Sequence, residues 1–237
     1  MCSRPRKQTE SRIYHLISRG VDHCVIYRDR SDRIHFLQLL KDLSVEFGVA
    51  VNAWCLMDNH YHILATSEID VIAKMMRRLN AAYALYFNTK YERDGHLFQG
   101  RFKSVPVESD EQFLTVLRYI HQNPEKAGIC RTSDYPWSSY KSYLRGGGLA
   151  STAFALSLFS SLESFVAFHA NLEQGEESGE KEMALAREAL GGIDPRDIAS
   201  LDRKRRSDAL RVLKRTRLTV RQIEKMTGIS RSTMTRA

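Results

Sequence analysis

The chain of 237 residues predicts an α+β fold, an antiparallel sheet with helices on one face, followed by a small all-α module. Three observations carry that expectation. Segments of period-two alternation interleave with segments of helical spacing in the order strand, helix, strand, strand, helix, strand, helix, the order of a split βαβ sandwich. Segments 49–56 and 60–66 flank the polar turn Met57-Asp58-Asn59, which suits a hairpin. Residues 195–237 then change composition, carrying 13 Lys+Arg against 4 Asp+Glu.

The elements follow in order. Residues 12–18 read as a first strand ended by Gly20. Residues 31–47 place Ile34, Leu37, Leu40, Leu43 and Phe47 at helical spacing, with Ser31 as N-cap and Gly48 as the stop. The hairpin comes next, then a helix over 69–88 and a strand over 100–107. A helix over 110–122 is expected to stop at Asn123-Pro124, because proline disfavours helical angles in the residue before it. Gly146-Gly147-Gly148 marks a boundary, residues 153–170 form an apolar helical extension that packs back, and 171–182 have the acidic, Gly-containing composition of a linker. The expected domains are therefore 1–145, a helical extension with linker over 146–194, and 195–237.

Charge is distributed to match. Residues 1–145 carry a net +5, 146–194 a net −6 and 195–237 a net +9, so the basic excess is concentrated at the C-terminal end, where it suits a polyanion. An apolar content of 43% supports a true core. No apolar run reaches the length of a membrane span, and the N-terminal segment has no secretory h-region. The cysteines Cys2, Cys24, Cys55 and Cys130 form no Cys-x-x-Cys pair, and such scattered thiols fit a reducing cytoplasm.

His60-Tyr61-His62 is the most informative motif. On a strand, side chains two apart share a face, so both imidazoles project together, where they can share a divalent metal, while Tyr61 points away. By itself the motif also fits a pair of hydrogen-bonded structural histidines. A second pattern is Tyr119 followed by Asn123, four apart and on one face of a continuous helix. A tyrosine is a competent covalent nucleophile once a metal polarises the phosphate it attacks, and a carboxamide oxygen beside it suits a third ligand. Equally, Tyr119 fits a core position and Asn123 a C-cap. Arg101 and Lys103 alternate with Phe102, a mix suited to phosphate contact and base stacking, and suited also to an ordinary edge strand.

Four segments in order resemble the single-tyrosine HUH transposases, and within them the REP-associated tyrosine transposases. They are Tyr14-His15-Leu16-Ile17-Ser18-Arg19-Gly20, Cys55-Leu56-Met57-Asp58-Asn59-His60-Tyr61-His62-Ile63-Leu64, Gly100-Arg101-Phe102-Lys103-Ser104, and Tyr119-Ile120-His121-Gln122-Asn123-Pro124-Glu125-Lys126-Ala127-Gly128. The resemblance spans roughly 12–145 and rests on the set. It implies a ferredoxin-like or RRM-like sheet, His60 and His62 as ligands of Mg²⁺ or Mn²⁺, Asn123 as a polar third ligand, and Tyr119 as the nucleophile. It further implies cleavage of single-stranded or hairpin DNA through a 5′-phosphotyrosine, rejoining by reversal, and a monomer or homodimer.

Residues 206–237 read as helix, helix, turn, helix, with Thr219 capping the second and Ser230 the third. That is a helix-turn-helix pattern, whose last helix would present Arg231, Ser232, Thr233 and Arg236 to a duplex major groove. Two rivals to the transposase expectation stand beside it: a non-catalytic DNA-binding regulator, and a metal-dependent nuclease that uses water in place of Tyr119.

Overall fold

The computed structural model describes residues 8–170, 183–216, 218 and 220–229. They form two units, 1–170 and 171–237. The first carries β1 (Ile13–Arg19), α1 (Arg30–Phe47), β2 (Ala50–Leu56), β3 (His60–Thr66), α2 (Ile69–Lys90), β4 (Lys103–Val107), α3 (Asp110–Lys126), α4 (Tyr140–Arg145), α5 (Ala153–Ser157) and α6 (Leu162–Ala170). The four strands form one sheet in the order β2-β3-β1-β4, with every neighbour antiparallel. This is the α+β arrangement the segment order predicts.

Local chemistry sets the ends of the elements. Asp29, rather than Ser31, caps α1: its carboxylate accepts from the Asp32 N–H, and the Asp32 side chain returns the bond to the Asp29 N–H. This reciprocal box satisfies two otherwise orphaned donors, more than the Ser31 hydroxyl alone can do. Gly48 ends α1 in the left-handed region at φ 62°, as the sequence suggests. Gly20 ends β1 because a side chain there has no room: a Cβ would lie 2.3 Å from the Cys24 carbonyl oxygen.

Burial fixes which face each strand residue takes. Tyr14, Leu16, Trp54, Leu56, Tyr61 and Ile63 join α1 and α2 in one core, with Phe36, Leu40, Met76, Leu79 and Tyr83. Ala53, Cys55, Leu64 and Val107 lie in a second core with Phe113, Leu117 and Ile120 of α3, and with Tyr143 and Phe165. The one-sided helix layer expected from the sequence thus holds for α1 and α2, whereas α3 covers part of the opposite face. The cause is legible in β2 and β3, which are buried almost throughout and so need cover on both sides.

Helix α3 also runs further than the sequence suggests. It continues through Pro124 to Lys126, and the Ala127 N–H still bonds the Asn123 carbonyl. Proline removes one intrahelical donor, but fixed neighbours compensate. The Gln122 amide donates to the His169 carbonyl. His121 Nδ1 lies 3.0 Å from His169 Nε2, and its Nε2 lies 2.8 Å from Ser139 Oγ. Ser139 Oγ in turn accepts from the Trp54 N–H of β2, and His169 Nδ1 donates to the Phe165 carbonyl. This relay of fully paired buried groups ties α3 to both the sheet and α6.

In the second unit, residues 183–189 are helical, followed by α8 (Arg203–Lys214) and α9 (Val220–Thr227), the 183–189 helix being α7. Ala186, Leu190, Ile198, Leu210, Leu213, Leu218, Ile223 and Ile229 form its core. Asp202 caps α8 at the N–H groups of Lys204 and Arg205, three residues earlier than the expected start. The expected caps Thr219 and Ser230, and the expected reading residues Arg231, Ser232, Thr233 and Arg236, lie outside the described residues. Among the described residues no helix is long and apolar enough to cross a membrane.

The buried relay makes stability acid-sensitive. Burial holds His169 down at about 4, and burial followed by His169 pushes His121 well below its ordinary value. Below about pH 6.5 the unfolded chain takes up protons that these folded rings refuse, so their contribution is complete above that pH and is lost as pH falls. His15 and His62, also lowered by burial, act with the same sign. We expect urea unfolding to show a loss of roughly 1 kcal/mol for each of His121 and His169 between pH 7.5 and 5.5. The loss should be smaller in His169→Asn, and a stability independent of pH in this range would contradict the pairing.

Candidate active site

The site is built where β3, β1 and α3 meet. His60 and His62 alternate with Tyr61 on β3 and share the face that α3 covers, with ring centroids 5.0 Å apart. Tyr61 takes the opposite face, fully buried, where its hydroxyl donates to Asn80 of α2. Because α3 is continuous through Pro124, Tyr119 and Asn123 both point to the histidines. The Tyr119 ring stands edge-on to His62, with centroids 5.4 Å apart. The Asn123 side chain lies beside His60, where it favours the protonated ring. Tyr119 is 41% exposed, although it lies beside buried histidines.

The imidazoles are prepared as neutral donors. Burial, then His15, His60 and Arg19, lowers His62 to about 2, and burial, then Arg19, lowers His60. Each ring has its Nδ1 engaged: that of His60 lies 2.7 Å from Asn59 Oδ1, and that of His62 lies 2.8 Å from His15 Nε2. Among the described residues no group hydrogen-bonds the buried His62 Nε2, a costly state for a polar atom unless something binds there. Among the described residues no three His, Cys, Asp or Glu side chains converge on one point. A metal here would therefore be held by two imidazole nitrogens and the Asn123 carboxamide oxygen, leaving coordination positions for substrate oxygens and water. That set fits Mn²⁺ or Mg²⁺ engaged with a phosphate.

Two site neighbours carry no role in the sequence reading. His15 is buried on β1 and its ring lies 5.9 Å from that of Tyr119. The register brings it there: it shares a face with Ile17, which pairs directly with His62. Lys126 places its Nζ 5.4 Å from the Tyr119 ring centre, seven residues along the same helix, a signal hidden by expecting the helix to stop at Pro124.

The proposed nucleic-acid contacts separate. Lys103 begins β4 opposite Ile17, and its charge acts on His15, which puts it beside the site. Arg101 precedes β4, following Gly100 at φ 70°, and lines a cleft with Arg77 and Asn80 of α2. Phe102, expected to offer a stacking face, is 7% exposed and belongs to the α1–α2 core. The strand expected over 100–107 therefore begins at Lys103, because the backbone turn at Gly100 and the burial of Phe102 are incompatible with an open alternating strand.

An intact site on a pre-existing scaffold predicts that Tyr119→Phe is structurally silent. Among the described residues no hydrogen bond to the Tyr119 hydroxyl is found, and the ring is half-exposed. The melting free energy should change by less than about 0.5 kcal/mol, measured by thermal unfolding at pH 7.5; a larger loss would make the hydroxyl a structural group.

No curated protein is significantly similar to the chain. Among solved structures, a REP-associated tyrosine transposase bound to a REP hairpin is 19% identical, with a TM-score of 0.48 over 62% of this chain and 87% of that one. A protein described as a transposase of Deinococcus radiodurans R1 is 20% identical, with a TM-score of 0.34 over 51% of this chain and 97% of the other. Residues 8–123 match the family described as "Transposase IS200 like". The segment that carries the sheet, the histidine pair, Tyr119 and Asn123 is thus the part of this chain that is similar to the IS200-like transposases.

Proposed function

We propose that the chain is an IS200-like transposase that cleaves and rejoins single-stranded or hairpin DNA through a 5′-phosphotyrosine at Tyr119. The observation that supports this reading is the packing of the Tyr119 ring against His62, with Asn123 on His60, inside the segment that matches the family. His60, His62 and Asn123 hold a divalent ion, Mg²⁺ or Mn²⁺. When bound, the ion neutralises charge on the scissile phosphate and makes its phosphorus electrophilic.

The chain's own residues do the rest. Tyr119 Oη forms a bond to phosphorus as the bond to the 3′-oxygen breaks; the phenolic proton leaves to solvent and the departing 3′-oxygen takes one up. Rejoining reverses the exchange, when a 3′-hydroxyl attacks the phosphotyrosine and Tyr119 leaves. One phosphodiester is lost and one gained, so no external energy source is required. Lys103 and Lys126 supply positive charge near the backbone of the bound strand. Helix α3 keeps the nucleophile beside the histidines before DNA arrives, so little ordering remains for the reaction itself.

The test is covalent capture. Incubated with hairpin-bearing single-stranded DNA and Mn²⁺, the protein should form an adduct that survives denaturing electrophoresis. Tyr119→Phe should abolish it, and His60→Ala should lower its rate by at least 10²-fold. Cleavage retained in Tyr119→Phe would turn the reading toward a nuclease that uses water. No adduct together with tight, metal-independent DNA binding would turn it toward a regulator.

The C-terminal segment adds duplex binding. Its support is the net +9 of residues 195–237 together with a separate apolar core beneath the basic helix α8. If Arg231 and Arg236 meet the duplex, Arg231→Ala/Arg236→Ala should weaken duplex affinity and reduce the slope of log K against log salt by about 2. An unchanged slope in a binding titration would remove both residues from the interface.

A further inference from the structure

We infer that His15 is a positioning residue that fixes the tautomer of His62, leaving His62 Nε2 as the lone pair that faces the site. This deepens the proposed function and rests on its reading of His62 as a metal ligand. The two rings meet across neighbouring strands. His62 pairs with Ile17 in the β3–β1 register, and His15 stands two residues along β1 on the same face. His15 Nε2 lies 2.8 Å from His62 Nδ1, with both side chains buried.

A hydrogen bond between two ring nitrogens has one proton and two possible arrangements. If His15 donates, His62 accepts at Nδ1 and its own proton sits on Nε2, where it blocks a ligand. If His62 donates from Nδ1, its Nε2 carries the lone pair and His15 carries its proton on Nδ1. The surroundings choose between them. Among the described residues the buried His62 Nε2 has no hydrogen-bond partner, so an N–H there would be an orphaned donor, among the rarest buried groups in proteins. His60 shows the same logic with a different partner: Asn59 Oδ1 can only accept from its Nδ1, which puts the lone pair on its Nε2. Each histidine of the pair thus has an acceptor behind it, an amide oxygen for one and a second imidazole for the other. The contact also seats His15 between β1 and Tyr119, whose ring it meets edge-on. Orienting partners of this kind are worth about 10–100-fold in metal affinity.

The experiment compares the full-length wild type with His15→Gln and His15→Leu. A glutamine carries its amide near the ring Nε2 and can accept from His62; leucine fills the space and accepts nothing. In the metal-free protein, ¹⁵N NMR of the ring nitrogens should show His62 protonated on Nδ1 in the wild type and in His15→Gln, and that state should be lost in His15→Leu. Mn²⁺ titrated by electron paramagnetic resonance should bind His15→Leu about 10–100-fold more weakly than wild type. His15→Gln should restore affinity to within a few-fold, a recovery that packing alone does not explain. A wild-type His62 protonated on Nε2, wild-type Mn²⁺ affinity in His15→Leu, or a His15→Gln as weak as His15→Leu would each overturn the inference. A wild type that shows the Nδ1 proton but forms no DNA adduct would instead count against the proposed function and leave the role of His15 standing.

Discussion

The docking of α3 on the second face of the sheet is the constraint on which the site depends. The strands supply half of the candidate site, two imidazoles on β3 with the Nδ1 of each engaged. The other half, Tyr119 and Asn123, arrives only because α3 lies across that face and stays helical past Pro124. Two kinds of interaction hold it there. Phe113, Leu117 and Ile120 bury apolar surface against Ala53, Cys55 and Leu64, which provides the driving force. The relay His169–His121–Ser139–Trp54 supplies direction, because its buried groups are paired in sequence and a rotated helix would leave several unpaired.

This arrangement separates stability from chemistry. Tyr61, between the two site histidines, belongs to the α1–α2 core, while its neighbours face α3. The period of two along one strand therefore assigns adjacent residues to different tasks. The same holds on α3, where Ile120 and His121 anchor the helix while Tyr119 and Asn123 remain directed to the site. A tyrosine carried on a helix that is locked in place from behind needs no rearrangement to meet the two histidines.

Much of this was legible in the sequence because it depends on short-range periodicity. The hairpin around Asp58, the shared face of His60 and His62, and the four-residue spacing of Tyr119 and Asn123 all follow from local pattern. What escaped depends on long-range pairing. His15 carries no local mark, since its partner is 47 positions away. The His121–His169 contact spans 48 positions, and only the folded chain shows why α3 tolerates Pro124. Phe102 misled for a related reason: alternation with two basic residues resembles an open strand, but its ring is drawn into a core that α1 and α2 create. Ser31 lost its capping role to Asp29 because a reciprocal pair of bonds outweighs a single hydroxyl.

The central claim is that α3 and β3 of the same chain make one site. Complementation tests it most directly. Equal amounts of the His60→Ala and Tyr119→Phe proteins, mixed and incubated with hairpin DNA and Mn²⁺ beside the wild type, each lack one half of the chemistry. The account predicts that wild type alone forms the covalent adduct and that the mixture forms none. Recovery of an adduct in the mixture would contradict it, by showing that the tyrosine of one chain works with the histidines of another.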